Sequence, residues 1–86
     1  MSRYRVELLA AARRQLKKLP KSAQKQIATL IDALAEDPRP HGYKPLQGPL
    51  KGLFRVRSSD YQIIYAVEDK VLLITVIKIG NRREIY

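Results

Sequence analysis

Leu53-Phe54-Arg55-Val56-Arg57-Ser58-Ser59-Asp60-Tyr61-Gln62-Ile63-Ile64-Tyr65-Ala66-Val67 is the stretch that decides the fold. Two runs rich in β-branched and aromatic residues flank Ser58-Ser59-Asp60, whose small polar side chains suit a turn. A two-residue turn at Ser59-Asp60 sets Val56 against Ile63 and Phe54 against Tyr65 on one face. The other face then receives Arg55 and Arg57, with Ile64 and Gln62 opposite them. One side of this hairpin is made for a core, and the other is basic and partly open.

Beyond it, Glu68-Asp69-Lys70 reads as a turn, and Val71 to Ile79 is apolar except for Thr75 and Lys78. Such a run predicts an internal strand covered on both faces. Lys78 shares parity with Leu72, Ile74 and Val76, so a one-residue bulge at Glu68-Asp69-Lys70 is expected to decide which set meets the core. The cost of burying an ammonium puts Lys78 on the open face. Gly80 stops the strand. Upstream, Pro38 to Gly52 holds four of the five Pro and three of the four Gly, and reads as a long ordered loop. Before that, Ala23, Ile27, Leu30, Ile31 and Leu34 recur at helical spacing. Leu9, Ala12, Leu16 and Leu19 form a second stripe, with Arg13, Arg14, Lys17 and Lys18 on the opposite face. Pro20 separates the two as an antiparallel pair, and Arg3 to Glu7 alternates like a half-buried strand. The expected architecture is one α+β domain over residues 1–86. An N-terminal strand and an antiparallel helix pair precede a three-stranded antiparallel meander, with the helices on one face of the sheet.

The 86 residues carry 17 Lys plus Arg against 8 Asp plus Glu, a formal net charge of +9. With 45% hydrophobic content this is a folded domain rather than a basic tail, and it calls for an anionic partner. The absence of Cys removes disulfides, thiolate catalysis and Cys-based zinc sites. The one histidine, His41, reads as a solvated loop residue and leaves no support for a His-based metal centre or a Ser-His pair. No apolar run reaches membrane-spanning length and no signal peptide opens the chain, so the expected compartment is the cytoplasm, with no membrane partner. Gly48 and Gly52 fit turns rather than a phosphate-binding loop. Tyr61 and Tyr65 sit at core-facing parity. The charge divides unevenly. Residues 1–35 hold eight Lys/Arg and two acids, and residues 51–86 hold seven and four. Guanidinium groups gathered on a sheet face make a phosphate site plausible, because the Arg fork matches phosphate oxygens. The helical cations read equally well as a solvated face or as a docking surface.

Two stretches carry a family resemblance. One runs from Lys44-Pro45-Leu46-Gln47-Gly48 and Leu50-Lys51-Gly52 through the hairpin to Tyr65, and the other is Val76-Ile77-Lys78-Ile79-Gly80-Asn81-Arg82-Arg83-Glu84-Ile85-Tyr86. Together with the order of elements they are similar to the RelE/ParE superfamily of small bacterial type II toxins, and most of all to RelE-like mRNA interferases. The resemblance covers nearly the whole chain and implies a RelE/microbial-RNase-like fold. It implies a ribosome-dependent endoribonuclease that cleaves mRNA in the A site by attack of the ribose 2′-hydroxyl on the adjacent phosphate, and so inhibits translation without metal or cofactor. It also implies a cognate acidic, RelB-like antitoxin as partner, beside ribosome and mRNA, with oligomerisation through the antitoxin rather than alone.

Carried over by position, the resemblance implies catalytic roles for Arg55, Arg82 and Tyr86. Arg82 would stabilise charge on the scissile phosphate, and Tyr86 would stack on or position the attacked nucleotide. Lys44, Lys51, Arg57, Gln62, Lys78 and Arg83 would bind RNA or phosphate. Gln62 stands where the family pattern has an arginine, Arg55 where RelE has a lysine, and Leu53 where RelE proper can carry one. The departures at Gln62 and Leu53 predict an activity that is weakened or altered in target. A guanidinium does not give up its proton, so Arg55 cannot serve as general base. Lys51, Lys44 or Lys78 could take that part, or the 2′-hydroxyl is activated mainly by position and by ribosomal groups. Two other readings stay open: a ParE-like inhibitor of DNA gyrase, and a non-catalytic basic module that binds RNA or protein.

Overall fold

A computed structural model describes residues 3–81. Strand β1 (Arg5–Leu8) leads into helices α1 (Ala10–Lys17) and α2 (Lys21–Glu36), and strands β2 (Lys44–Pro45), β3 (Phe54–Ser58), β4 (Tyr61–Glu68) and β5 (Leu73–Asn81) follow. The five strands form one mixed sheet in the order β1-β5-β4-β3-β2. β1 runs parallel to β5, while all other pairs are antiparallel. The expected α+β layout is therefore present, with two additions: the parallel pairing of the first strand, and a two-residue edge strand inside the Pro/Gly loop. No helix among the described residues is long and apolar enough to cross a membrane.

The hairpin register follows the expected pattern. Phe54 pairs with Tyr65, Arg55 with Ile64, Val56 with Ile63 and Arg57 with Gln62. Ser59 takes a left-handed backbone, φ 55°, within the turn. The bulge, however, lies elsewhere than expected. Ile64 pairs with Lys78 and the next residue, Tyr65, with Val76, so Ile77 is the extra residue. The Asp69–Val71 segment is a 3-10 turn closed by Leu72 at φ 52°. Because Ile77 breaks the alternation, Ile74, Val76 and Ile79 all reach the core, and Lys78 falls on the opposite face with Ile64. That outer side of β5 is half-buried, so the strand is fully covered on one face only.

The core joins Ala12, Ile27 and Leu34 of the helices to Val56, Ile63, Tyr65, Ile74, Val76 and Ile79 of the sheet. Leu16, Leu19, Leu30 and Ile31 pack against it, whereas Leu9, expected in the stripe, precedes α1 and is 46% exposed. β1 ends at Leu8, so the upper part of β5 has no strand on that side. Gln15 of α1 takes over: its Oε1 accepts the Ile79 N–H at 2.8 Å. Gln24 of α2 donates to the Leu19 carbonyl at 2.9 Å, which satisfies the end of α1 and fixes the helix corner.

The helices are poorly provided with charge for their own stability. Neither has an acid in its first turn, and Lys21 is the first residue of α2, where the helix dipole disfavours a cation. Lys21 and Lys25 form a like-charged i,i+4 pair, as do Arg13 and Lys17. We expect Lys21→Glu to raise stability by about 0.3–1 kcal/mol at low ionic strength, with the gain fading in high salt, as read from urea midpoints. Gln15→Ala should cost about 1–3 kcal/mol in the same assay, because it leaves the Ile79 N–H unmatched.

Candidate functional site

On the face of the sheet away from the helices, the strand registers line up Lys44, Arg55, Ile64 and Lys78 in one transverse row. Neighbouring strands are about 4.8 Å apart, so Lys44 lies one strand and Lys78 two strands from Arg55, roughly 5 and 10 Å. Arg57 and Gln62 make the next row, about 6–7 Å further along the strands. Three cations in one row and a fourth beside them form a strip whose charge suits phosphate groups.

The strip has an apolar, tightly packed floor. Ile64 and Gln62 are 2% and 4% exposed, so this face is less open than the sequence suggests. Arg and Lys stems cover apolar neighbours in this way while their heads stay in water. Arg57 and Lys44 are exposed, and Arg55 and Lys78 are half-buried. Gln62 is interior yet not orphaned, since no buried side-chain N or O among the described residues lacks a partner. A low-dielectric floor beneath cations strengthens their attraction for an anion above them.

Lys44 reaches this row because the loop before it is clamped. The buried Tyr65 hydroxyl donates to the Pro38 carbonyl at 2.7 Å, and burial pushes its phenol up to about 12, which keeps it a neutral donor. Arg39 makes a two-pronged contact with Asp69, Nη2 to Oδ2 at 2.9 Å and Nη1 to Oδ1 at 3.2 Å. Tyr4 donates to the same Oδ1 at 2.6 Å. The Arg39 guanidinium also lies 5.4 Å from the centre of the Phe54 ring, which meets Tyr43 edge-on and Tyr65 at a tilt. These contacts hold residues 38–43 against β3 and β4, so that Lys44 and Pro45 can pair with Arg55 and Phe54.

Arg55, Arg57, Gln62, Lys44 and Lys78 are thus gathered on one face. Lys51 stands apart, exposed after the 3-10 turn Gly48–Leu50. His41 is exposed in the loop, outside the row. Arg82, Arg83 and Tyr86 lie outside the described residues. Sequence reasoning missed Arg39, Asp69 and Tyr4. An ion pair across 30 residues leaves no periodic signal, and only the polar Asp-Lys turn hinted at a role for Asp69.

Residues 6–86 match the family described as the ParE toxin of type II toxin–antitoxin systems, parDE. The chain belongs to this RelE/ParE family of type II toxins. It is 34% identical over 84 residues to Toxin RelE of Mycobacterium tuberculosis, an alignment covering 96% of this chain and 86% of the relative. Among solved structures, it superposes on a chain of the toxin–antitoxin complex RelBE2 from Mycobacterium tuberculosis with a TM-score of 0.88 and 27% identity, covering 98% and 97% of the two chains. The archaeal RelE–RelB complex of Pyrococcus horikoshii gives a TM-score of 0.81 at 30% identity, covering 95% and 98%. The cation strip therefore sits on a toxin scaffold.

Arg39 and Tyr4 hold the Asp69 carboxyl down at about 2. The unfolded chain binds this proton near pH 3.8, so the clamp's contribution is complete above about pH 4, shrinks as pH falls, and is gone below about pH 2. Asp69→Asn should lower the Tm at neutral pH and flatten its fall between pH 4 and 2, measured by thermal melts across that range.

Proposed function

We propose that this toxin is a ribosome-dependent endoribonuclease, with the Lys44–Arg55–Lys78 row holding the mRNA phosphates beside the bond that is cut. The observation that carries the reading is the row itself, three strands contributing cations to one line on a scaffold whose relative is named Toxin RelE. In the reaction, the 2′-oxygen attacks the adjacent phosphorus and the bond from phosphorus to the 5′-oxygen breaks. A cyclic phosphate and a free 5′-hydroxyl result. One proton leaves the 2′-hydroxyl and one is gained by the 5′-oxygen, so no water is consumed. Arg55 stabilises charge on the phosphoryl oxygens and cannot act as base, because it stays protonated. Lys44 and Lys78 flank Arg55 in the row and are the lysines placed to exchange a proton there, while Arg57 binds the next phosphate. Arg82 adds a second guanidinium and Tyr86 a stacking surface. Gln62, buried and already partnered within the protein, brings no charge and no free donor to the site where the family pattern has an arginine, which weakens the enzyme without removing the row.

An acidic antitoxin is the second proposed partner. The relatives in the two solved complexes each have a RelB-type partner, and a +9 surface favours rapid capture by an acidic chain. The gyrase-inhibiting reading keeps one specific support, the match to the ParE toxin description over residues 6–86.

Induction in growing cells followed by mapping of new mRNA 5′ ends tests the choice. Cuts inside translated codons are expected; intact message with failing DNA supercoiling moves the assignment to gyrase. Arg55→Ala and Arg82→Ala should each lower cleavage about 10²–10³-fold with unchanged circular dichroism. A folded Arg82→Ala protein of full toxicity would overturn the nuclease.

A further inference from the structure

Lys44 is the least secured member of the cationic row. Its strand, β2, is two residues long and forms one edge of the sheet. Pro45 brings no N–H to the ladder, and the next donor, Leu46, bonds the Leu53 carbonyl at 2.9 Å. Gly42 and Gly48 bracket the strand, and glycine restrains a chain least. Arg55 is the cross-strand partner of Lys44, so two like charges face each other across the pairing that holds β2 in the sheet. A two-residue edge strand relieves such repulsion by peeling away.

The clamp on Arg39 opposes that motion. An exposed ion pair by itself holds little. This one grips Asp69 with two nitrogens, at 2.9 and 3.2 Å, while Tyr4 donates to the same carboxylate and the guanidinium lies over the Phe54 ring. Arg39 is thereby tied to the β4–β5 turn, through the shared carboxylate to the residue before β1, and to β3. Phe54 carries the restraint onward. Its ring meets Tyr43, the residue before Lys44, and its backbone pairs with Pro45, the residue after it. Arg39 therefore acts on Lys44 from both sides along the chain. The clamp itself stands off the row, because Tyr4 and Phe54 pack on the core side of the sheet and Asp69 opens the turn after β4.

We propose that Arg39 and Asp69 are positioning residues for RNA cleavage: their ion pair holds Lys44 in line with Arg55, and neither residue touches the message. The inference rests on the proposed nuclease and deepens it, separating the side chains that meet phosphate from the pair that aligns one of them. With the clamp open, only a fraction of molecules carries Lys44 in line, and the message binds more weakly in proportion to that fraction. A bound phosphate screens Lys44 from Arg55 and draws it back, so turnover of bound message changes little.

The test measures cleavage of a defined message on translating ribosomes by the full chain, at a temperature well below the melt of every variant. Arg39→Ala and Asp69→Asn should each raise KM about tenfold and leave kcat within about twofold. Lys44→Ala should lower kcat/KM at least as far, and adding Arg39→Ala to it should change cleavage no further. Asp69→Asn is the sharper arm. It removes a negative charge and frees Arg39, so direct attraction of RNA predicts a lower KM and the clamp predicts a higher one. A lower or unchanged KM in Asp69→Asn would overturn the positioning role. So would a full further loss when Arg39→Ala is added to Lys44→Ala, or a loss confined to kcat, because partial unfolding removes active molecules without changing the affinity of the rest. Each of these results leaves the nuclease standing, since the wild-type protein still cuts. A wild-type protein that leaves the message intact takes both readings down.

Discussion

Lys78 and Val76 lie two residues apart on β5 yet point to opposite faces of the sheet, because Ile77 is inserted between them without a partner on β4. The rest of the molecule depends on that insertion. With strict alternation, Ile74, Val76 and Lys78 would share a face. The core would then either take in an ammonium or give up two fully buried side chains, each worth about 1.5–3 kcal/mol. The bulge lets one strand seal the core at Ile74, Val76 and Ile79 and still present a lysine beside Ile64. The same displacement falls where β1 has already ended, and the Gln15 side chain from α1 stands in for the missing strand at Ile79.

The cationic row is a product of register rather than of local sequence. Lys44, Arg55 and Lys78 come from three strands spread over much of the chain, and a bulge or a turn elsewhere places each of them. The clamp of Arg39, Asp69, Tyr4 and Tyr65 belongs to the same logic. It lies away from the row and fixes the loop whose last residues include Lys44. Rigid support on one side of a sheet and charge on the other is how a small domain can hold like charges close together, since the repulsion must be met by packing elsewhere.

How far the sequence was legible follows from the range of the interactions. The β3–β4 register could be read at once, because a two-residue turn and strict alternation leave one solution. The helices were visible in their apolar stripes, except for Leu9, which continues the spacing but precedes the first helical residue. The bulge in β5 could not be located, because Val71 to Ile79 is apolar at both parities and alternation carries no signal there. The expected position at the Glu68-Asp69-Lys70 turn was wrong for that reason. β2 is too short for any periodicity, and Pro45 argues against a strand except at a sheet edge, which is where it lies. Of the expected site residues, those on the hairpin were placed by register. Arg82, Arg83 and Tyr86 follow the last described strand.

The parallel pairing of β1 with β5 also governs when this sheet can exist. Synthesis delivers β1 first, and among the described strands its one partner is β5, the last of them to be made. Until β5 emerges, β1 must wait beside two helices without a sheet to cover. The meander is also incomplete until then, and Lys78 is not yet in place. Closing so distant a pair is slow compared with forming a hairpin. Core, sheet and cationic row are therefore completed together in one late step, and a nascent chain carries the cations of the row long before anything holds them in line.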